Sequence, residues 1–328
     1  MRRRQFIGLV GAAWLGVPLR TWVHAQEAKI PIVAFLGLAP ASGYTGRLDG
    51  IRTGLREFGF VEGKNFAFEF RWGETREQLR ELAIQLIRLD PAVVMASGNS
   101  AALAVKREVA ATAVPMVFAV ADDPVRLGLV ESFNKPGGNA TGVSLISGAL
   151  GAKRIELLQQ VKPVTNLIAI LVNPDNPAES NQRDEQTKAL AIGQKLLVLR
   201  AATDGELEAA FARAVQEKAT AILVNPDAFF TARRVKIIGL AAQHKLPAIY
   251  AWREFAEDGG LMSYGINLSE AYRQNGIYVG RILRGVKPAD LPVIQPTKIE
   301  LIINLTTAKS LGIEVSVKLL ALADAVIE

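Results

Sequence analysis

The sequence contains no cysteine and only two histidines, and these gaps remove whole classes of chemistry. Without cysteine there is no disulfide, no thiol nucleophile, no Cys-based zinc site and no lipid-anchored cysteine. His24 falls within the first 25 residues, which leaves His244 as the one imidazole beyond them. A single histidine restricts any metal site to all-oxygen ligands. Asp122-Asp123-Pro124 is the one tight acidic pair, and it reads as a cap for a helix over 125–133. No metal and no cofactor are expected. Long apolar runs are lacking too: past the N-terminus no stretch reaches the roughly 18 residues of a membrane helix. There is no Gly-x-Gly-x-x-Gly opening a helix, no Walker A loop and no helix-turn-helix ahead of the main body.

The formal net charge is +6, from 38 basic and 32 acidic residues. Four of the basic residues (Arg2, Arg3, Arg4 and Arg20) lie in the first 25 positions, where there is no acid. The rest carries 34 basic against 32 acidic residues, about +2, and a nucleic-acid partner loses its main support. Those first residues read as an export leader, with a basic start, an apolar stretch over 6–19 and a small-x-small site at Val23-His24-Ala25. Arg3-Arg4-Gln5-Phe6-Ile7 resembles a twin-arginine motif. Cleavage after Ala25 and a periplasmic location are expected.

What is present is alternation. Apolar runs at 30–36, 66–72, 91–96, 114–120 and 140–145 are separated by helical spacings at 47–58, 75–89 and 99–110. After the punctuation at Asn134-Lys-Pro-Gly-Gly-Asn139 the pattern restarts, with strands at 167–172, 196–199, 221–224 and 246–250 and Asp204 as a helix cap. Strands separated by helices argue for parallel sheets covered on both faces, here in two α/β halves joined near 140–147. Leu-Val-Asn-Pro-Asp occurs at 171–175 and again at 223–227, each time ending a strand. Asn and Asp there can cap a helix, or face a ligand at the strand C-terminal ends where open parallel sheets bind.

Residues 94–102, VMASGNSAA, place a strand, a tight glycine turn and a helix start in succession. This is close to a Gly-x-Ser-x-Gly nucleophile elbow. A nucleophilic Ser100 needs a base. His244 lies at a helix end before a strand, not in a loop after one, so a serine hydrolase built on Ser100 lacks its partner. The same geometry suits a ligand. Gly98 lets the backbone approach, and the free N–H groups of 99–101 can receive an anion. A two-lobed, exported chain without catalytic groups suits capture of a small molecule between lobes.

Four segments carry a family likeness: ASGNSAALA (96–104), VFAVADDPVRLGLVESFNKPGGNATG (117–142), LPAIYAWREFAEDGGLMSYG (246–265) and LPVIQPTKIELIINLTTAKSLGI (291–313). Across 30–328 the chain resembles the substrate-binding proteins of ABC transporters, in the group with the tryptophan- and tyrosine-type binders. The resemblance implies a type I periplasmic binding protein fold, with two Rossmann-like lobes of parallel sheet and three hinge crossovers. It implies a first lobe over 29–143 plus 264–287 and a second over 144–263 plus 288–328. Crossings are then expected near 142–147, Tyr264 and 287–292. A permease and an ATPase are the implied partners of a monomer that is not embedded in the membrane. A periplasmic sensor subunit for a membrane receptor is the alternative.

On that fold the first-lobe wall of the cleft is expected to hold Tyr44, Ser97, Gly98, Asn99, Ser100, Asp122 and Asp123. Asp123 can meet an ammonium or serve only as a cap. The second-lobe wall is expected to hold Asn173, Asp175, Asn225, Asp227 and Phe229. Tyr250 and Trp252, just past a strand end, can stack on a ligand or pack between lobes. Ser144 and Tyr264 are expected at the crossings. The expected ligand is an amino acid or an aromatic or carboxylic acid, its anionic end on the 97–101 elbow.

Overall fold

The computed structural model describes residues 30–38, 44–145, 150–161, 167–176 and 194–328. The export leader, the Ala25 cleavage site, loop residues 39–43 and Ser147 lie outside the described residues. The first part of the chain runs β1 (Ile32–Leu38), α1 (Thr45–Arg56), β2 (Ala67–Gly73), α2 (Arg76–Ile87), β3 (Val93–Ser97), α3 (Asn99–Val109), β4 (Met116–Val120) and β5 (Ala140–Ser144). Its strands form one sheet in the order β2-β1-β3-β4-β5, parallel throughout.

The second part runs α4 (Gly151–Val161), β6 (Leu167–Val172), β7 (Lys195–Arg200), α5 (Asp204–Gln216), β8 (Ala221–Val224), α6 (Ala228–Ala232) and α7 (Arg234–Gln243). It continues with β9 (Ala248–Tyr250), α8 (Arg253–Glu257), β10 (Met262–Ile266), α9 (Leu268–Leu283), β11 (Ile299–Asn304), α10 (Leu305–Ser310), α11 (Val317–Leu320) and β12 (Ala325–Ile327). The second sheet has the order β12-β11-β10-β9-β8-β6-β7. Only β10 and β11 pair antiparallel in it. The chain leaves after β10 to lay α9 on the first lobe, and on its return β11 enters from the opposite end.

Continuous Val, Ile, Leu and Ala runs make these strands because helices cover both faces. Alternate residues sort accordingly. In the first sheet Ala34, Leu36, Val94, Ala96 and Phe118 pack with residues of α2 and α3. Val33, Phe35, Val93, Met95 and Val117 face the opposite side, in the core that includes residues of α1 and α9.

The chain passes between the sheets three times, and two passes lie later than expected. Tyr264 pairs with Leu301 inside the antiparallel ladder, so β10 stays in the second sheet to its end and the crossing falls at Asn267. Val293 N–H donates to Phe133 O and Ile294 N–H to Gly142 O, which holds the chain against the first sheet beyond residue 292. Ser144 pairs with Val120 and belongs to the first sheet. Two local expectations also change. Residues 125–133 form turns rather than a helix. The cap of α5 is Thr203 in a capping box with Glu206, not Asp204. Among the described residues no helix is long and apolar enough to cross a membrane, and no group of three His, Cys, Asp or Glu could hold a metal.

Candidate functional site

The C-terminal ends of strands from both sheets converge on a cavity of about 210 Å3. In a parallel sheet all strands present these ends to the same edge, where the following helices begin. Leu38 ending β1, Ser97 ending β3, Ala121 after β4 and Leu145 after β5 supply one wall. Asn173 after β6, Asp227 after β8 and Trp252 after β9 supply the other.

The elbow is built as the sequence implies. Gly98 stands at the N-cap of α3 with φ of 91°, a conformation that L side chains rarely adopt. Ser97, Gly98, Asn99, Ser100 and Ala101 all line the cavity. Asn99 reaches across it. Its Oδ1 accepts from Ala121 N–H at 3.1 Å, and its Nδ2 donates to Asn176 Oδ1 in the second lobe at 3.2 Å. Among the described residues no imidazole reaches Ser100. His244 sits at the C-terminal end of α7, stacked on Phe211 with ring centroids 6.5 Å apart, and does not line the cavity.

On the second wall Asp227 caps α6, its Oδ1 accepting from Phe229 N–H at 2.8 Å and Phe230 N–H at 3.2 Å. Asn173 Nδ2 donates to the same oxygen at 3.1 Å and Asn176 Nδ2 to Oδ2 at 2.9 Å. Asp227 is partly accessible from the cavity and enclosed by protein on its other sides. Burial pushes its carboxyl above the ordinary value, against the four hydrogen bonds that favour the charged form. Asn173, Asp175, Phe229 and Trp252 line the same wall. Trp252 is 5 % exposed and Phe229 lies under the Arg233 guanidinium at 4.1 Å. Tyr44 closes the first-lobe side, its ring 4.8 Å from that of Trp72.

Six expected residues stand elsewhere. Asp122 is tied to Arg126 at 2.6 Å, and Asp123 accepts from Val125 N–H at 2.8 Å, so the pair stabilises a turn. Ser144 donates its hydroxyl to Asp122 O. Asn225 is drawn back to the sheet by its N–H bond to Leu171 O, and only the following Pro226 and Asp227 reach the cavity. Tyr250 stacks on Phe255 with centroids 4.5 Å apart, facing a separate hollow in the second lobe. Tyr264 lies within β10, its carbonyl accepting from Arg154 Nε at 2.8 Å.

Among the lining residues that were not expected are Arg47 on α1 and Tyr272 on α9. A signal for Arg47 existed. It stands four residues before Ile51 and eight before Leu55, on the buried stripe of α1, where an arginine has no business unless something meets it. Arg47 is 6 % exposed, and its guanidinium lies 4.6 Å from the Tyr44 ring centroid and 5.8 Å from that of Tyr272. Ser97 Oγ shares a short hydrogen bond with the Tyr272 hydroxyl and donates to Tyr44 Oη at 3.4 Å. Burial and the neighbouring Tyr44 raise the Tyr272 hydroxyl to about 12, so it stays protonated at neutral pH.

Residues 29–327 match the family model described as ABC transporter substrate binding protein. A tyrosine-binding protein of Clostridioides difficile (strain R20291) is 24% identical over 267 residues, 81% of this chain and 76% of that protein. A conserved domain protein of Vibrio cholerae superposes with a TM-score of 0.82 at 29% identity, covering 91% of this chain and 100% of that one. The ABC domain of Streptococcus pneumonia in complex with L-Trp superposes with a TM-score of 0.80 at 23% identity over the same shares.

Proposed function

The chain belongs to the ABC transporter substrate binding protein family, and from that premise we propose that it delivers a small amino acid or aromatic carboxylic acid to an importer's permease and ATPase. On this reading the protein is exported and works in the periplasm. Two α/β lobes joined by three crossings close on the solute by hinge motion, as in the type I periplasmic binding arrangement.

The observation that carries the reading is the cavity itself. It lies between the strand ends of both lobes, and it combines aromatic walls with charged groups from each side. Trp252 and Phe229 supply flat apolar surface from the second lobe, and Tyr44 from the first. Asp227 offers a carboxylate to a ligand ammonium. The tyrosine-binding relative and the L-Trp complex support an aromatic amino acid as the first solute to try.

The chain has four tryptophans, and after cleavage at Ala25 only Trp72 and Trp252 remain. Titration of L-tyrosine with tryptophan-selective excitation should change the emission, and Trp252→Phe should lose most of the change. Trp72 reports weakly through Tyr44. Calorimetry with L-tryptophan and L-tyrosine gives the matching heats. The reading fails if neither technique detects binding of any aromatic amino acid or aromatic carboxylate.

A further inference from the structure

Within the proposed solute-binding reading, we infer that Arg47, and not the α3 elbow, is the anion anchor of the cleft and receives the ligand's carboxylate through its guanidinium fork. Arg47 contrasts with six other arginines. Arg52, Arg126, Arg233, Arg234, Arg253 and Arg273 each pair with a carboxylate. Among the described residues Arg47 makes no ion pair, although it is more deeply buried than any of these. Its Nε is buried and has no hydrogen-bond partner.

A buried guanidinium without a carboxylate is costly, because neither water nor protein replaces its lost solvation. What surrounds it favours the charged form but leaves the Nε donor unpaired. The faces of Tyr44 and Tyr272 supply cation–π attraction, and the Tyr272 hydroxyl favours the charged guanidinium. Glu254, on α8 of the other lobe, attracts it only through space, and its own Oε2 is buried without a partner. Arg47 lines the cavity, so the missing partner is one that enters there. The planar fork selects a carboxylate, which accepts two parallel N–H bonds.

At the elbow, by contrast, one side chain is already engaged. The Asn99 side chain at its tip is bonded on both sides, to Ala121 N–H and to Asn176. A Cβ on Gly98 would lie 3.6 Å from Ala228 Cβ, so the second lobe packs close against the turn. The hydroxyls of Ser97 and Tyr272 hold one another beside the anchor and fix its direction.

The test pairs acids with their amides. L-tryptophan and indole-3-propionate are titrated by calorimetry and thermal shift beside L-tryptophanamide and indole-3-propionamide, in the wild type, Arg47→Gln, Arg47→Lys and Tyr272→Phe. The wild type should prefer each acid over its amide. Arg47→Gln should weaken both acids about 100-fold and abolish the preference. Arg47→Lys should recover part of it, and Tyr272→Phe should weaken the acids about 10-fold by releasing the guanidinium. If Arg47→Gln does not fold, the acid preference of Tyr272→Phe and Arg47→Lys decides. Unchanged acid binding in a folded Arg47→Gln overturns the anchor and leaves the solute-binding reading standing. Arg47-dependent binding of indole-3-propionate without tryptophan binding keeps the anchor and removes the amino-acid ligand. A wild type that takes only amides, or no probe at all, overturns the anchor.

Discussion

Gly276→Val should lower the stability of the protein by about 3 kcal/mol, a fall in melting temperature of roughly 10 °C, while Gly46→Ala leaves it unchanged or raises it. The reason lies in the packing of α1 against α9. A Cβ at Gly276 would lie 2.2 Å from the Ile51 carbonyl oxygen, and one at Gly54 2.1 Å from the Arg273 carbonyl oxygen. The obstacle in each case is backbone, which cannot rotate aside as a side chain does. The two helices must separate, and they carry Arg47 and Tyr272 on their facing surfaces. Separation therefore empties the core beneath them and also displaces one side of the cavity. Gly46 lies in the same α1, but its Cβ would meet nothing within 4 Å. Alanine there only restricts the unfolded chain and helps the helix, by up to about 1 kcal/mol. Thermal unfolding of the two variants beside the wild type checks the pair. Equal effects from Gly276→Val and Gly46→Ala would mean that the close helix approach contributes nothing.

The sequence made the α/β alternation legible because each strand is a continuous apolar run with punctuation at its end. It made the elbow legible because a strand, Gly98 and a small-residue helix leave few other geometries. The two Asn-Pro-Asp loops also fell where strand-end logic put them, with Asn173, Asp175 and Asp227 on one wall. What stayed hidden depended on long-range pairing. Nothing local in Met262–Ile266 says that its ladder partner is a strand of opposite direction arriving after a sixteen-residue helix, so the sequence points to a crossing near Tyr264. Tyr250 and Trp252 look alike in sequence, yet one closes over Phe255 and the other opens on the cavity. Asp122 and Asp123 were spent on their own turn. Arg47 was missed for a different reason. Strand-end logic points to loops, whereas this group reaches the cavity from the face of a helix.

Asp227→Ala should cost about 2–3 kcal/mol and should loosen the second wall, and its pH dependence identifies why. The substitution removes the cap of α6, worth about 1 kcal/mol, and deprives Asn173 of the acceptor it uses. Asn176 loses the same carboxylate, and with it the end of the chain of contacts that runs through Asn99 to the first lobe. Asp227→Asn keeps an oxygen for the cap and resembles the protonated acid, so it separates capping from charge. Burial raises the Asp227 carboxyl, which means that the folded protein holds the proton more tightly than the unfolded chain. The stabilising contribution is complete below the ordinary aspartate value and is lost as pH rises through the raised one. The melting temperature of the wild type relative to Asp227→Asn should therefore fall as pH rises across that window. A difference that stays flat or widens with pH would show the carboxylate to be well solvated by its hydrogen bonds. Ligand reverses the sign. An ammonium seated on Asp227 favours the charged form, so binding an amino acid near the raised value should release a proton. Calorimetry in buffers of different ionisation enthalpy measures that release, and Asp227→Asn should abolish it.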